Sequence, residues 1–134
     1  MKKAISNKAV ICIDFKKYRI RIYKDTLHVM EDPAFIQLLI NPEKGIICIR
    51  RSISEEQFSQ RIKWESLNER DCCEIYSRSL MSELLTLKKD WNANKSYRIF
   101  GTFNPYEELV WFDIEDAAVI DEEIENERNK AISG

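Results

Sequence analysis

The sequence predicts an α+β fold: a duplicated βαββ unit forming a small antiparallel sheet or barrel with short helices. Three observations predict it. Ile22-Tyr23-Lys24-Asp25-Thr26-Leu27 is echoed by Ile75-Tyr76-Ser77-Arg78-Ser79-Leu80. Leu39-Ile40-Asn41-Pro42-Glu43 is echoed by Thr102-Phe103-Asn104-Pro105-Tyr106, in the same order relative to the first landmark. After each Asn-Pro a short polar stretch leads into an apolar run, Ile46 to Ile49 and Leu109 to Phe112. Self-similarity of this kind marks a repeated supersecondary unit. With 134 residues, 44% of them hydrophobic, the chain suits one domain over 1–134. Repeat one covers about 9–52, repeat two about 60–115, and an acidic tail about 116–134.

The elements follow from local chemistry. Ala9 to Phe15 is an apolar run and reads as a strand. Lys16-Lys17-Tyr18 turns it into a second strand, Arg19 to Tyr23. Asp25 or Thr26 supplies an oxygen for the exposed N–H groups that open a short helix, about 25–31. Pro33 ends it, because proline disfavours helix in the residue before it. Phe35 to Ile40 and Ile46 to Arg50 form a hairpin around Asn41-Pro42-Glu43-Lys44-Gly45. In the second repeat Ser77 or Ser79 caps a helix over 77–88, where Leu80, Leu84 and Leu87 fall on one face. Tyr97 to Phe103 and Leu109 to Asp113 make the second hairpin around Asn104-Pro105-Tyr106-Glu107-Glu108. About ten extra residues separate the landmarks of this copy, and Trp91-Asn92-Ala93-Asn94-Lys95 among them reads as a loop. Residues 51–71 admit two readings: a helix about 54–60 opened by the capping box Ser54-Glu55-Glu56-Gln57, or a strand over Gln60 to Trp64. Ala117, Ile120 and Ile124 could line a marginal helix, with a frayed tail beyond about 121 as the alternative.

Charge is unevenly spread. Residues 1–30 carry eight Lys and Arg against two carboxylates; residues 104–134 carry ten carboxylates against two cations. That asymmetry fits a nucleic-acid-facing end and an acidic tail, or equally two solvated faces. No secretory h-region follows Met1-Lys2-Lys3, and no apolar run approaches a membrane span, so a cytoplasmic location without membrane contact is expected. Cys12, Cys48, Cys72 and Cys73 are expected to be reduced.

The stretch from Ile13 to Leu27 resembles the core signature of AbrB/MraZ-type swapped-hairpin DNA-binding proteins. That pattern is a strand ending in an acid, a tight turn, an arginine, then alternating apolar residues leading into a short helix. Asp14 and Arg19 take the acidic and arginine positions, Ile20 and Ile22 the alternating ones, and Leu27 a helix core position. The turn has one extra residue and lacks the usual glycine, Tyr23 stands where the family often has proline, and repeat two has no acid–turn–arginine motif. The resemblance implies a small DNA-binding transcriptional regulator, with Lys16, Lys17, Tyr18, Arg19, Arg21 and Lys24 on phosphates and bases. The expected partner is double-stranded DNA. The alternative expectation is a protein-interaction or scaffold module, accessory or antitoxin-like, with no nucleic-acid binding. Within the signature, Arg19 can also simply pair with Asp14 at the strand end, with the lysines keeping an edge strand soluble. A chain with two such units can close its barrel as a monomer, whereas a single unit needs a homodimer.

Enzyme chemistry is not expected. The lone His28 lies on the short helix, and adjacent Cys72-Cys73 cannot readily direct both sulfurs to one tetrahedral zinc. The three glycines are scattered, so no phosphate-cradling loop exists. Neither a catalytic residue, a metal nor a cofactor is expected. The aromatics of the second half, Trp64, Trp91, Tyr97, Phe100, Phe103, Tyr106, Trp111 and Phe112, suit core packing, or a face that stacks single-stranded bases.

Overall fold

The computed structural model describes residues 9–120. The chain is α+β, with three helices and two five-stranded antiparallel sheets. The elements run β1 (Val10–Asp14), β2 (Arg19–Tyr23), α1 (Lys24–Val29), β3 (Phe35–Asn41), β4 (Ile46–Arg51), β5 (Gln60–Arg61), α2 (Trp64–Arg70), β6 (Cys72–Tyr76), α3 (Arg78–Leu87), β7 (Ser96–Phe100), β8 (Thr102–Asn104), β9 (Leu109–Asp113) and β10 (Ala118–Ile120). The first sheet has the order β10-β7-β1-β2-β6 and the second β5-β3-β4-β9-β8.

Both sheets mix strands from the two halves of the chain. In the first, β2 pairs with β6 and Arg21 lies opposite Glu74. In the second, β4 pairs with β9 and Cys48 lies opposite Trp111. Each of these pairs joins positions that correspond between the echoed segments, so an approximate two-fold axis runs through both. The leading strands are exchanged: β1 pairs with β7 of the second half, and β5 pairs with β3 of the first. Two hydrogen bonds close the ends of the β2–β6 ladder in the same reciprocal way. The Lys24 N–H donates to the Asp71 carbonyl and the Ser77 N–H to the Tyr18 carbonyl, each at 3.0 Å.

Period-two alternation decides which face each strand buries. Ile11, Ile13, Ile20, Ile22, Ile75, Tyr97 and Ile99 point inward from the first sheet; Ile36, Ile47, Ile49, Val110 and Phe112 point inward from the second. Leu27 of α1 and Met81 and Leu84 of α3 complete the core. Phe15, Trp91 and Tyr97 form an aromatic cluster with ring centroids 4.6–5.9 Å apart, and the Tyr97 hydroxyl accepts the Asn92 N–H at 2.7 Å. The extra loop of the second half is thereby anchored in the core. Tyr106 and Phe100 stay on the surface.

The hairpin loops behave as the Asn-Pro landmarks predict. The Asn41 Oδ1 accepts the Lys44 N–H, and the Asn104 Oδ1 accepts the N–H groups of Tyr106 and Glu107. Ser77 caps α3 by accepting the Leu80 N–H at 3.2 Å. In α1 neither Asp25 nor Thr26 is a cap. Tyr23 holds that position without a side-chain bond, and the fully buried Thr26 hydroxyl exchanges two bonds with the Val10 backbone instead, at 2.7 and 2.8 Å. Stitching α1 to β1 satisfies a buried hydroxyl, and this outweighs the cap.

Further expectations need correction. No helix forms over 54–60. The Glu56 carboxylate does accept the Ile53 N–H, but Ile53 and Phe58 are both exposed, so a helix there would bury no apolar stripe. The following segment is both strand and helix: β5, then α2, which Trp64 pins by donating its indole N–H to the Pro33 carbonyl at 3.0 Å. Finally, Ala118–Ile120 is a strand on β7 and not a helix; Ile124 and the acidic run beyond Ile120 lie outside the described residues.

The single strand expected over Tyr97 to Phe103 is split at Gly101, where the chain leaves the first sheet as β7 and enters the second as β8. A Cβ at Gly101 would stand 2.4 Å from the buried Phe112 ring. Only glycine lets the crossing strand lie this close to Phe112. Gly101→Ala is therefore expected to destabilise the fold by about 2–3 kcal/mol through overpacking. Urea unfolding checks this; an unchanged midpoint would mean that the strand does not cross against Phe112.

Candidate nucleic-acid interface

Strand alternation also builds the outer face of the first sheet. One row across it reads Arg98, Cys12, Arg21, Glu74; the next reads Ser96, Asp14, Arg19, Tyr76. At the end of the second row the chain turns through a 3₁₀ segment, Phe15–Lys17, with Phe15 buried and Lys16 and Lys17 exposed. A shallow concavity of about 150 Å³ opens here, lined by Cys12, Asp14, Lys16, Lys17, Arg19 and Arg21 among others.

Arg19 is the organising residue. Its Nε donates to Asp14 at 3.1 Å and its Nη1 to Glu74 at 2.6 Å, and all three side chains are less than a fifth exposed. The guanidinium pKa is raised. Burial opposes the charge, but the hydrogen bond with Tyr76 and the fields of Glu74 and Asp14 outweigh it. The strand-end pair of Arg19 with Asp14 anticipated from sequence is present, and it joins three strands through one planar fork. Arg19 thus holds the basic turn in place and makes few donors available to a ligand.

Tyr18 adopts the left-handed conformation, φ 54°. For a residue other than glycine that conformation costs roughly 1 kcal/mol. The Tyr18 ring carries the Arg78 guanidinium 4.4 Å from the centroid, a cation–π contact that offsets part of that cost. The turn of the first half is thereby braced on the start of α3. Arg21 lies flat on the outer face, its guanidinium 5.7 Å from the Tyr23 ring centre. Its buried Nε has no hydrogen-bond partner among the described residues.

Of the residues the sequence singles out, the fold brings Lys16, Lys17, Arg19 and Arg21 to one face, with Tyr18 at its edge. Lys24 is not among them. It opens α1 at the far end of β2, roughly 15 Å along the strand from the turn. Arg98 was missed, and its signal was weak. It lies in an apolar run of the second half and reaches this face only because β7 pairs with β1.

The four cysteines form no disulfide; Cys12 and Cys72 are buried on the outer face beside Arg21. Cys73 points to the other side, and burial raises its pKa to about 11. No family model matches the chain, and neither does a curated protein or a solved structure.

Two outcomes follow. Arg19→Ala leaves two poorly hydrated carboxylates facing each other and is expected to cost about 2 kcal/mol; Arg19→Lys cannot fork to both and rescues little. Lys16→Ala should stay within about 0.5 kcal/mol. Equal unfolding midpoints for Arg19→Ala and Lys16→Ala would remove Arg19 from its organising role. For Cys73, the raised pKa means that its contribution to stability is complete below the ordinary thiol pKa and is lost as pH rises through about 11. Mass-resolved alkylation at pH 8 should therefore label Cys73 slowly in the folded chain and rapidly in urea.

Proposed function

We propose that the chain is a small DNA-binding regulator that grips duplex DNA with the outer face of the first sheet. The observation that carries this reading is the gathering of Lys16, Lys17, Arg19, Arg21 and Arg98 on that face. Lys16, Lys17, Arg19 and Arg21 line a shallow concavity, Arg98 stands beside it on β7, and among the described residues the rows of this face add the carboxylates Asp14 and Glu74. A shallow surface rich in cations suits the phosphate backbone, where neutralised charge releases counterions. Lys16 and Lys17 take phosphates as point charges. Arg21 offers its guanidinium edge to a phosphate or to a guanine. Arg19 is a positioning residue.

The exchange of leading strands, β1 onto β7 and β5 onto β3, supports the likeness to swapped-hairpin DNA-binding proteins. The site is shallow and has no histidine, which favours binding over catalysis. No described helix is long and apolar enough to cross a membrane.

Fluorescence anisotropy with a random duplex across a salt series tests the reading. The expected result is binding whose affinity falls steeply with salt, and a loss of about tenfold or more at low salt in Lys16→Ala/Lys17→Ala/Arg21→Ala. Salt-independent binding, or none at low salt, would overturn it. Preferential binding of single-stranded oligonucleotides would move the ligand away from duplex DNA.

A further inference from the structure

A second basic surface lies across β6 from the first. A groove of about 340 Å³ runs beside α2, and Arg61 from β5, Lys63 from the connecting segment and Arg70 from the end of α2 line it. Gln60 and Ser66 add neutral donors, and Glu74 is the one carboxylate in its lining. Glu74 is shared: one oxygen accepts from Arg19 at 2.6 Å, and the other lies 4.0 Å from Arg70. The two basic surfaces therefore meet at Glu74.

Their placement is not arbitrary. The Lys16-Lys17 turn joins β1 to β2, and α2 joins β5 to β6. Each is the connector between a leading strand and the strand that pairs across the two-fold axis, and that axis passes between Arg21 and Glu74. The same position in each half thus carries cations, although the two connectors share neither sequence nor secondary structure. α2 is fixed in place by the Trp64 bond to Pro33 and by stacking of Trp64 on His28. The duplex backbone is itself two-fold symmetric, and a protein two-fold that coincides with it doubles every backbone contact.

We infer that the groove beside α2 is a second phosphate-binding surface of the same interface, so that duplex DNA lies across β6 and touches both connectors. This rests on the DNA-binding reading above. The two cation groups are separated by about two strand spacings and most of the length of β2, roughly 15 Å. Phosphates follow one another about every 3.4 Å of helix axis on one strand, so the footprint covers about four to five base pairs between the groups.

The test is the anisotropy salt series on the full chain with random duplex, comparing wild type, Arg61→Gln/Lys63→Gln/Arg70→Gln and Lys16→Gln/Lys17→Gln. All five side chains are exposed, so thermal melts should match wild type and confirm folding. The expected result is that the triple variant loses about tenfold or more at low salt and that its log–log salt slope shallows by two to three. An unchanged affinity and slope in the triple variant, with a loss in Lys16→Gln/Lys17→Gln, would overturn the inference and leave the basic-turn site standing. A wild type without salt-dependent binding would remove the DNA-binding reading itself, and this inference with it.

Discussion

The structure depends on the central pairing of β2 with β6. This antiparallel ladder joins the two halves of the chain strand to strand, and everything else is arranged about its midpoint, where Arg21 faces Glu74. Neither half can finish its sheet alone: β1 finds its outer neighbour in β7, and β5 finds its neighbour in β3. Unpaired strand edges are costly in polar groups left to solvent and in misassociation, so the exchange makes the two halves obligatory partners. The same ladder presents the outer face. Because β2 is interior to the first sheet, Arg19 and Arg21 are fixed by strands on both sides and cannot sway as surface arginines do.

On that face the carboxylates Asp14 and Glu74 lie at the centre and further cations lie toward the rim. Asp14 and Glu74 both turn to Arg19, which uses them to tie β1, β2 and β6 together. Lys16, Lys17 and Arg98 flank this tie on one side, and Arg61, Lys63 and Arg70 lie beyond β6 on the other. On the DNA-binding proposal, the rim draws in the polyanion while the tied middle limits the side-chain entropy lost on binding. The cation–π contact of Tyr18 with Arg78 serves the same end by fixing the turn that displays the lysines.

Much of this fold was legible in sequence, because the signals were local. The Asn-Pro hairpins, the Leu80–Leu84–Leu87 stripe and the Ile20–Ile22 alternation each express a short-range rule, and the elements lie where those rules put them, except that the strand leading into the second hairpin is broken at Gly101. The segment around α2 was not legible: Ser54-Glu55-Glu56-Gln57 has helix-opening chemistry but no apolar face to bury, while Trp64 is held by a carbonyl 31 residues away. Thr26 was misread for the same reason, since its partner Val10 is distant in sequence. At the site, the turn lysines and Arg21 were visible as a cluster. Arg98 and the α2 groove were not, because strand exchange alone brings them to that surface. Lys24 lies at the far end of β2 from the basic turn, where its N–H meets the Asp71 carbonyl beside α2.

On the proposal above, DNA lies on the outer face of the first sheet and leaves the second sheet free. Amide chemical-shift mapping with a short random duplex tests it most directly. Perturbations are expected to concentrate at 16–21, 61–63, 70–74 and 96–98, with β4 and β9 silent. Perturbations centred on Leu39, Cys48 and Trp111, which share the outer face of the second sheet, would contradict it.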